Sequence, residues 1–230
     1  MRPQGPGTDE QERKRPYTRR FDLKGHREGT AAMPKWTSSV RRGDHLVQFC
    51  ASPSQMESAI IDLVQCAEER EKVVLFSDST KLVSTVKRRL GKGSKGSSLS
   101  FLPAKGFVYQ DARFEPMDAL DTLRGAIEGQ RGSGQTSLIV VLDMSWLKEK
   151  PDSFRSFMQI EVSLNLAKFR VPVTLVCQYD LASLSEEDVE TINSVHALSM
   201  AEGKISRNFW LIPRRGGTFE DMGLVPEESH

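Results

Sequence analysis

The sequence predicts a three-layer α/β fold, with a mostly parallel central sheet covered by helices on both faces. Two observations lead to this class. From His45 onward, short apolar runs alternate with longer segments of helical periodicity, a pattern typical of βαβ units. The run from Ser137 to Leu142 is rich in Leu, Ile and Val and is closed by Asp143. A run of this kind is typical of a strand buried on both faces, as in parallel sheets.

The first half of the chain predicts a strand at His45 to Cys50, followed by a helix. Pro53 and the capping-box pattern Ser54-x-x-Glu57 mark the start of that helix. Basic residues close the second helix, where cations suit the helix dipole. The remaining segments are predicted strands over Lys72 to Phe76, Leu99 to Leu102 and Phe107 to Tyr109, and predicted helices over Ser79 to Leu90 and Pro116 to Glu128.

The second half continues the alternation. The strand ending in Asp143 is followed by a predicted helix, a strand, a capped helix and a last strand. Ser185 and Asp188 have the spacing of a capping box for that last helix. The predicted segments after Asp143 are Phe154 to Phe169, Val173 to Cys177, Ser185 to Val195 and Asn208 to Ile212.

Composition divides the chain into one domain and two tails. With 230 residues, 38% of them hydrophobic, the chain can bury one sizeable core. We expect a disordered basic arm over residues 1–36, a folded domain over 37–213 and a flexible tail over 214–230. No apolar stretch reaches the roughly 18 residues that a membrane helix needs, so a cytoplasmic protein is expected.

The basic arm carries the strongest charge imbalance. Residues 1–42 hold eleven Lys and Arg against five Asp and Glu. The arm could make weak contact with nucleic acid, an acidic protein face or anionic lipid, and a solvated tail without a target is the simpler interpretation. The residues expected to make any weak nucleic-acid contact are Arg13, Lys14, Arg15, Arg19 and Arg20.

Cysteine spacing gives no sign of a metal site. Cys50, Cys66 and Cys177 are odd in number and widely separated, and they form no C-x-x-C pair. We therefore expect reduced thiols, no structural metal and no cofactor.

A nucleotide-binding loop is also not expected. Gly129 to Gly134 has the glycine spacing of a Walker A loop, but Gln135 stands where the lysine belongs. This segment also lies between a predicted helix and a predicted strand, whereas a phosphate loop opens a helix. After the first strand, the segment Cys50 to Met56 contains neither Gly nor Lys.

Several polar side chains follow apolar strands and are expected to converge. Cys50, Asp78, Asp143 and the pair Cys177 and Tyr179 would all lie at the carboxyl edge of a parallel sheet. In open α/β sheets this edge is where ligands bind.

The order of several motifs resembles a known family, the MEDS domain, or methanogen/methylotroph, DcmR sensory domain. The motifs are Gly43-Asp-His-Leu-Val-Gln-Phe49, Leu142-Asp-Met-Ser-Trp146, Ile160-Glu161 with Asn165, Cys177-Gln-Tyr-Asp180, His196 and Asn208-Phe-Trp-Leu-Ile-Pro213. The resemblance implies a RecA/KaiC-like fold that has lost its phosphate loop and senses small organic compounds. Such domains are usually joined to an output domain.

The candidate ligand-binding residues each have a structural alternative. Asp143 either orients a ligand or caps the next turn through Ser145. Trp146 either lines a pocket or packs in the core. Glu161 and Asn165 either serve a pocket or form a polar lock between helix and sheet, and His45 and His196 are more simply structural. The candidate ligand-binding set is Asp143, Ser145, Trp146, Glu161, Asn165, Cys177, Tyr179 and Cys50.

These observations favour a non-catalytic sensory domain. It would bind a small organic ligand at the carboxyl edge of the sheet and relay its state to a protein partner. No Ser/His/Asp set or close carboxylate pair supports an enzyme. The alternative is a ligand-free interaction or oligomerisation scaffold on a degenerate RecA-like fold. A closed apolar pocket near Asp143 would favour the sensor, and a large exposed apolar patch would favour the scaffold.

Overall fold

A seven-stranded sheet organises the part of the chain that the structure describes. The computed structural model describes residues 40–91, 98–104, 116–149, 154–201 and 204–208. The strands run in the order β3-β2-β4-β5-β1-β6-β7, and β7 alone among them is antiparallel to its neighbour. The strands are β1 His45–Cys50, β2 Glu71–Phe76, β3 Leu99–Leu102, β4 Ser137–Asp143, β5 Val173–Asp180, β6 Leu198–Ala201 and β7 Lys204–Arg207.

Among the described residues, five α-helices cover the sheet in two layers. They are α1 Pro53–Cys66, α2 Thr80–Leu90, α3 Pro116–Gly129, α4 Phe154–Leu164 and α5 Glu186–Ser194. Helices α1 and α2 pack on one face, and α3, α4 and α5 pack on the other, each layer closing its own apolar core. The predicted three-layer α/β fold is confirmed.

The helix starts follow from local hydrogen bonds. Ser185 and Asp188 form the predicted capping box of α5. The predicted box at Ser54 and Glu57 is wrong, because Ser52 is the N-cap of α1 and its hydroxyl accepts from Gln55 N at 3.3 Å. The serine nearer the strand therefore supplies the cap, and Pro53 occupies the first helical turn.

Helix α4 ends earlier than its apolar pattern predicts. The pattern continues to Phe169, whereas the helix stops at Leu164. The backbone N–H groups of Asn165 and Leu166 donate to carbonyls three residues back, which tightens the last turn. The Asn165 side chain also donates to the Glu161 carbonyl at 3.2 Å, so it closes the helix end.

The end of the sheet differs most from the prediction. Strand β5 continues to Asp180, because Gln178 and Tyr179 are buried and hydrogen-bonded within the fold. The short hairpin of β6 and β7 was not predicted. Asn208 follows β7, and the remainder of the predicted last strand lies outside the described residues, as do the strand predicted at Phe107 to Tyr109, the arm and the tail. No helix among the described residues is long and apolar enough to cross a membrane.

Candidate functional site

The structure places Cys50, Asp78 and Asp143 at the carboxyl edge of the sheet, as expected, whereas Cys177 lies within β5. Side chains alternate along each strand, so Cys177 and Tyr179 of β5 face the α3–α5 layer, with Val47 and Phe49 of β1. Asp143 falls on the alternate face of β4, the side on which Val141 meets the α1–α2 layer. The structure thus divides the candidate residues between the two faces.

The carboxylate of Asp143 is engaged by the chain on both of its oxygens. Oδ1 accepts from Ser145 N at 3.0 Å, and Oδ2 accepts from the Ser77 hydroxyl at 2.5 Å. Asp143 is only 2% exposed. This arrangement matches the structural alternative, in which Asp143 caps the turn after β4.

The neighbouring residues at the carboxyl edge are similarly occupied. Asp78 Oδ1 accepts from Ala104 N at 3.2 Å. Burial, followed by the charges of Asp180 and Asp143, raises the pKa of the Cys50 thiol to about 12, which makes it a poor nucleophile.

Trp146 lies in the hydrophobic core. It is 6% exposed and packs edge-to-face on Phe157, with the ring centroids 5.3 Å apart. The cavity lined by Trp146, Asp143 and Phe157 measures about 20 Å³, which is room for about one water molecule. The pocket expected at this edge is therefore filled by the protein's own side chains. A ligand contact by these residues stays a prediction.

A second polar group lies between β1, β5 and α4, and we call it the Glu161 cluster. Its members are His45, Glu161, Asn165, Cys177, Tyr179 and His196. Glu161 is completely buried at its centre. Its Oε1 accepts from the Tyr179 hydroxyl at 2.9 Å, and its Oε2 accepts from the Cys177 thiol at 3.3 Å. His45 Nε2 and His196 Nε2 lie 3.0 and 3.4 Å from the same Oε2.

The outer atoms of both imidazole rings are held by the fold. His196 Nδ1 lies 2.7 Å from the Ile192 carbonyl, which can only accept, so Nδ1 carries a proton. Asn165 Nδ2 donates to the carbonyls of Glu161 and Val195, which turns Asn165 Oδ1 toward His45 Nδ1 at 3.1 Å. His45 Nδ1 is therefore a donor as well. Both rings present Nε2 to Glu161.

Burial and the central carboxylate set the ionisation of the cluster. Burial alone would raise the pKa of Glu161, but the nearby imidazoles of His196 and His45 outweigh it and hold that pKa below its ordinary range. Burial, followed by the charge of His196, lowers the pKa of His45. Burial and the charge of Glu161 raise the pKa values of Cys177 and Tyr179 well above their usual range, so both groups are protonated donors.

A larger cavity adjoins the Glu161 cluster at the amino edge of the sheet. Its volume is about 440 Å³, within the usual size range of small-molecule pockets. His45 and Asn165 form its polar wall beside the cluster, and the chain just before β1 and β5 forms much of the remainder. Leu164, Phe169 and Val171 supply apolar surface.

Four members of the cluster, Glu161, Asn165, Cys177 and Tyr179, were predicted as ligand-binding residues, and the polar lock between helix and sheet was the structural alternative for Glu161 and Asn165. His45 and His196 were expected to be isolated structural residues. One signal was available: a charged Glu161 on an apolar helix face must be paired once it is buried. Spacing could not identify the partners, since they come from β1, β5 and the segment between α5 and β6.

Comparison with solved structures supports the fold. The chain is similar to the uncharacterized protein PH0321 from Pyrococcus horikoshii, solved in complex with an unknown peptide, at 12% identity and a TM-score of 0.52. That match covers 73% of this chain and 83% of the other. A type III secretion ATPase from pathogenic bacteria matches at 13% identity and a TM-score of 0.44, over 70% of this chain and 51% of its own. The match to PH0321 supports the α/β fold described above.

Comparison at the sequence level identifies the family. None of the curated proteins matches the chain. The family model described as the methanogen/methylotroph, DcmR sensory domain matches residues 44–197, which include β1 to β5 and the whole Glu161 cluster. The chain therefore belongs to the MEDS family of sensory domains.

Proposed function

We propose that this MEDS domain is a non-catalytic sensor that binds a small organic molecule in the amino-edge cavity and relays binding to a protein partner. The observation that carries the proposal is the contact between the cavity and the Glu161 cluster. His45 and Asn165 line the cavity and are hydrogen-bonded to the buried groups behind it. A ligand there would meet apolar walls, these two polar groups and the charged residues Asp44 and Arg170, and small-molecule sites combine such features.

Asn165 offers a route from the cavity to two helices. Its amide group donates to the Glu161 carbonyl in α4 and, at 2.8 Å, to the Val195 carbonyl at the end of α5. A ligand that forms hydrogen bonds with Asn165 or His45 competes with these contacts. It would then favour a different arrangement of α4 and α5, in proportion to its differential affinity for the two arrangements.

The scaffold alternative has less support among the described residues. It requires a large exposed apolar patch, and Met117, 60% exposed, is the one exposed large hydrophobic side chain there. In the sensor proposal, the partner that binds α4 and α5 is either another protein or a second copy of the chain.

The cavity can be tested by filling it. Ala197 lines the cavity, so Ala197→Leu should weaken binding by at least roughly tenfold, or about 1.4 kcal/mol. Ligands are found by screening small alcohols, aldehydes, amines and aromatic compounds with ligand-observed NMR and thermal unfolding. Ala182→Leu makes the same change at an exposed position after β5 and should leave binding unchanged.

Two results would contradict the sensor. One is a bound compound whose affinity is equal in the parent, Ala197→Leu and Ala182→Leu. The other is a parent chain that responds to no compound yet associates with itself as its concentration rises in sedimentation experiments. That second result would support the scaffold.

We also expect no ATP or GTP binding tighter than about 1 mM, or about −4 kcal/mol. The N-terminus of α1 is where a phosphate would need free N–H groups, but Ala51 N donates to Gln55 Oε1 at 2.6 Å and Gln55 N to Ser52 Oγ. Pro53 has no N–H group to offer. Calorimetric titration with Mg-ATP measures this, and micromolar affinity would contradict the interpretation of the chain as a degenerate RecA-like fold.

A further inference from the structure

We propose that His45, Glu161, Cys177 and His196 form a closed, four-ligand site for a divalent transition-metal ion, with Zn²⁺ as the best match. Each residue offers one ligand atom, and these four atoms all lie within 4.8 Å of one another. The proposal is independent of the cavity, because a metal can occupy these four residues whether or not an organic ligand binds beside His45.

The spacing of the four atoms fits a tetrahedral ion. Bonds of about 2.0 to 2.3 Å place tetrahedral ligand atoms roughly 3.3 to 3.8 Å apart. Glu161 Oε2 lies 3.0 Å from His45 Nε2, 3.4 Å from His196 Nε2 and 3.3 Å from Cys177 Sγ. His45 Nε2 and Cys177 Sγ are 3.3 Å apart. Three of these four distances lie in that range and the fourth, at 3.0 Å, is slightly shorter, while the two remaining pairs of ligand atoms lie within 4.8 Å.

The outer contacts orient the ligands as in known metal sites. Metal-bound histidines usually donate their second ring N–H to a carbonyl or carboxylate, which fixes the tautomer. His196 does this with the Ile192 carbonyl, and His45 does it with Asn165 Oδ1. Tyr179 holds the Glu161 oxygen that faces away from the site.

The four ligand atoms at the centre of the Glu161 cluster lack enough hydrogen-bond donors. His196 Nε2 is buried and forms no hydrogen bond with the described residues, although it faces the carboxylate. Nearby are a second imidazole nitrogen and a sulfur, each able to supply a lone pair. A cation at their centre would accept a lone pair from all four atoms at once. Without a metal ion, the same atoms must share a small number of protons in hydrogen bonds.

The ligand set selects the class of metal. Two imidazoles, one thiolate and one carboxylate suit zinc, whereas Mg²⁺ and Ca²⁺ require oxygen ligands. On binding, the Cys177 thiol releases its proton to solvent, and no atom changes oxidation state. Zn²⁺ with one thiolate, one carboxylate and two neutral imidazoles has zero net charge, which lowers the cost of burial. Four protein ligands leave no open position, so the site is structural or sensory and not hydrolytic.

Metal content of the unaltered chain is the first test. Untagged protein is unfolded with chelator, refolded with or without one equivalent of Zn²⁺, and desalted. We expect close to one zinc per chain and a higher midpoint of thermal unfolding in the zinc sample, reversed by chelator. A zinc content near zero together with identical midpoints would overturn the proposal. The Glu161 cluster would then be a purely hydrogen-bonded group without a metal ion.

Cobalt spectroscopy identifies the ligands. In a Cys50→Ser/Cys66→Ser background, Cys177 is the one thiol left. Co²⁺ should then give a sulfur-to-metal charge-transfer band and the intense ligand-field bands of a tetrahedral site. Adding Cys177→Ser should abolish the charge-transfer band. Persistence of that band, or octahedral spectra in the background chain, would overturn the assignment.

The zinc affinity of a variant that keeps all four metal ligands gives a further test. Tyr179→Phe removes the hydroxyl that holds Glu161 Oε1, and it should lower zinc affinity roughly 10- to 100-fold without changing stoichiometry. Ser137→Ala is the matched control. It removes a buried hydroxyl that donates to a different carboxylate, Glu71, at 2.8 Å, and it should leave the affinity unchanged. Equal affinities in both variants would contradict the proposed site.

Discussion

Glu161→Ala is expected to lower the free energy of unfolding by about 3 to 5 kcal/mol, the range measured when one partner of a buried ion pair is removed. Glu161 is completely buried, and its two oxygens are the acceptors for the Tyr179 hydroxyl and the Cys177 thiol. Without the carboxylate these donors and both imidazoles stay buried with no acceptor at their centre. Urea unfolding followed by circular dichroism measures the change.

The matched control is Glu190→Ala, at an exposed position of α5. Surface substitutions of this kind usually change stability by less than about 0.5 kcal/mol. The comparison therefore separates the loss of a buried acceptor from the loss of a negative charge. A cost below about 1 kcal/mol for Glu161→Ala would show that the cluster contributes little to the fold and would remove the structural basis of the proposed relay.

Trp146→Ala is expected to cost a similar amount, about 3 to 5 kcal/mol, for a different reason. The indole is 6% exposed, packs against Phe157 and fills the space beneath the turn after β4. Its removal creates a large cavity in a part of the core where only about 20 Å³ is open. The midpoint of urea unfolding should fall without a change in the slope of the transition.

Met117→Ala serves as the control for Trp146, since Met117 is 60% exposed and should tolerate truncation. The Trp146 variant also tests the earlier hypothesis that this residue walls a ligand pocket. If Trp146→Ala folds with nearly parental stability but loses a small-molecule response, the carboxyl edge is the binding site after all, and the amino-edge cavity is not.

The two sites follow from a simple rule of sheet geometry. Residues two apart on a strand share a face, and adjacent residues do not. Cys177 and Tyr179 therefore meet Glu161 under α4, while Gln178 between them turns to the opposite face and donates to Gln48 at 2.9 Å. The motif Cys-Gln-Tyr-Asp thus contributes side chains to both faces of the sheet.

The sequence by itself determined the fold class and the absence of a conventional phosphate loop. Both depend on local signals, namely the alternation of apolar strands with amphipathic helices and the residue types directly after β1. The order of the elements from β1 to α5 and the capping box at Ser185 were predicted for the same reason. The family resemblance added the expectation of a sensory role, and the match over residues 44–197 confirmed the family.

Only the tertiary structure decided which polar residues meet. His45, Glu161, Cys177 and His196 lie far apart in the chain and on four different segments, so no spacing rule connects them. Their meeting depends on strand order, which places β5 beside β1, and on the packing of α4 over that pair. A buried carboxylate must find partners because an unpaired charge is costly in the core. That requirement is visible in the sequence at Glu161, but the identity of its partners belongs to the three-dimensional fold.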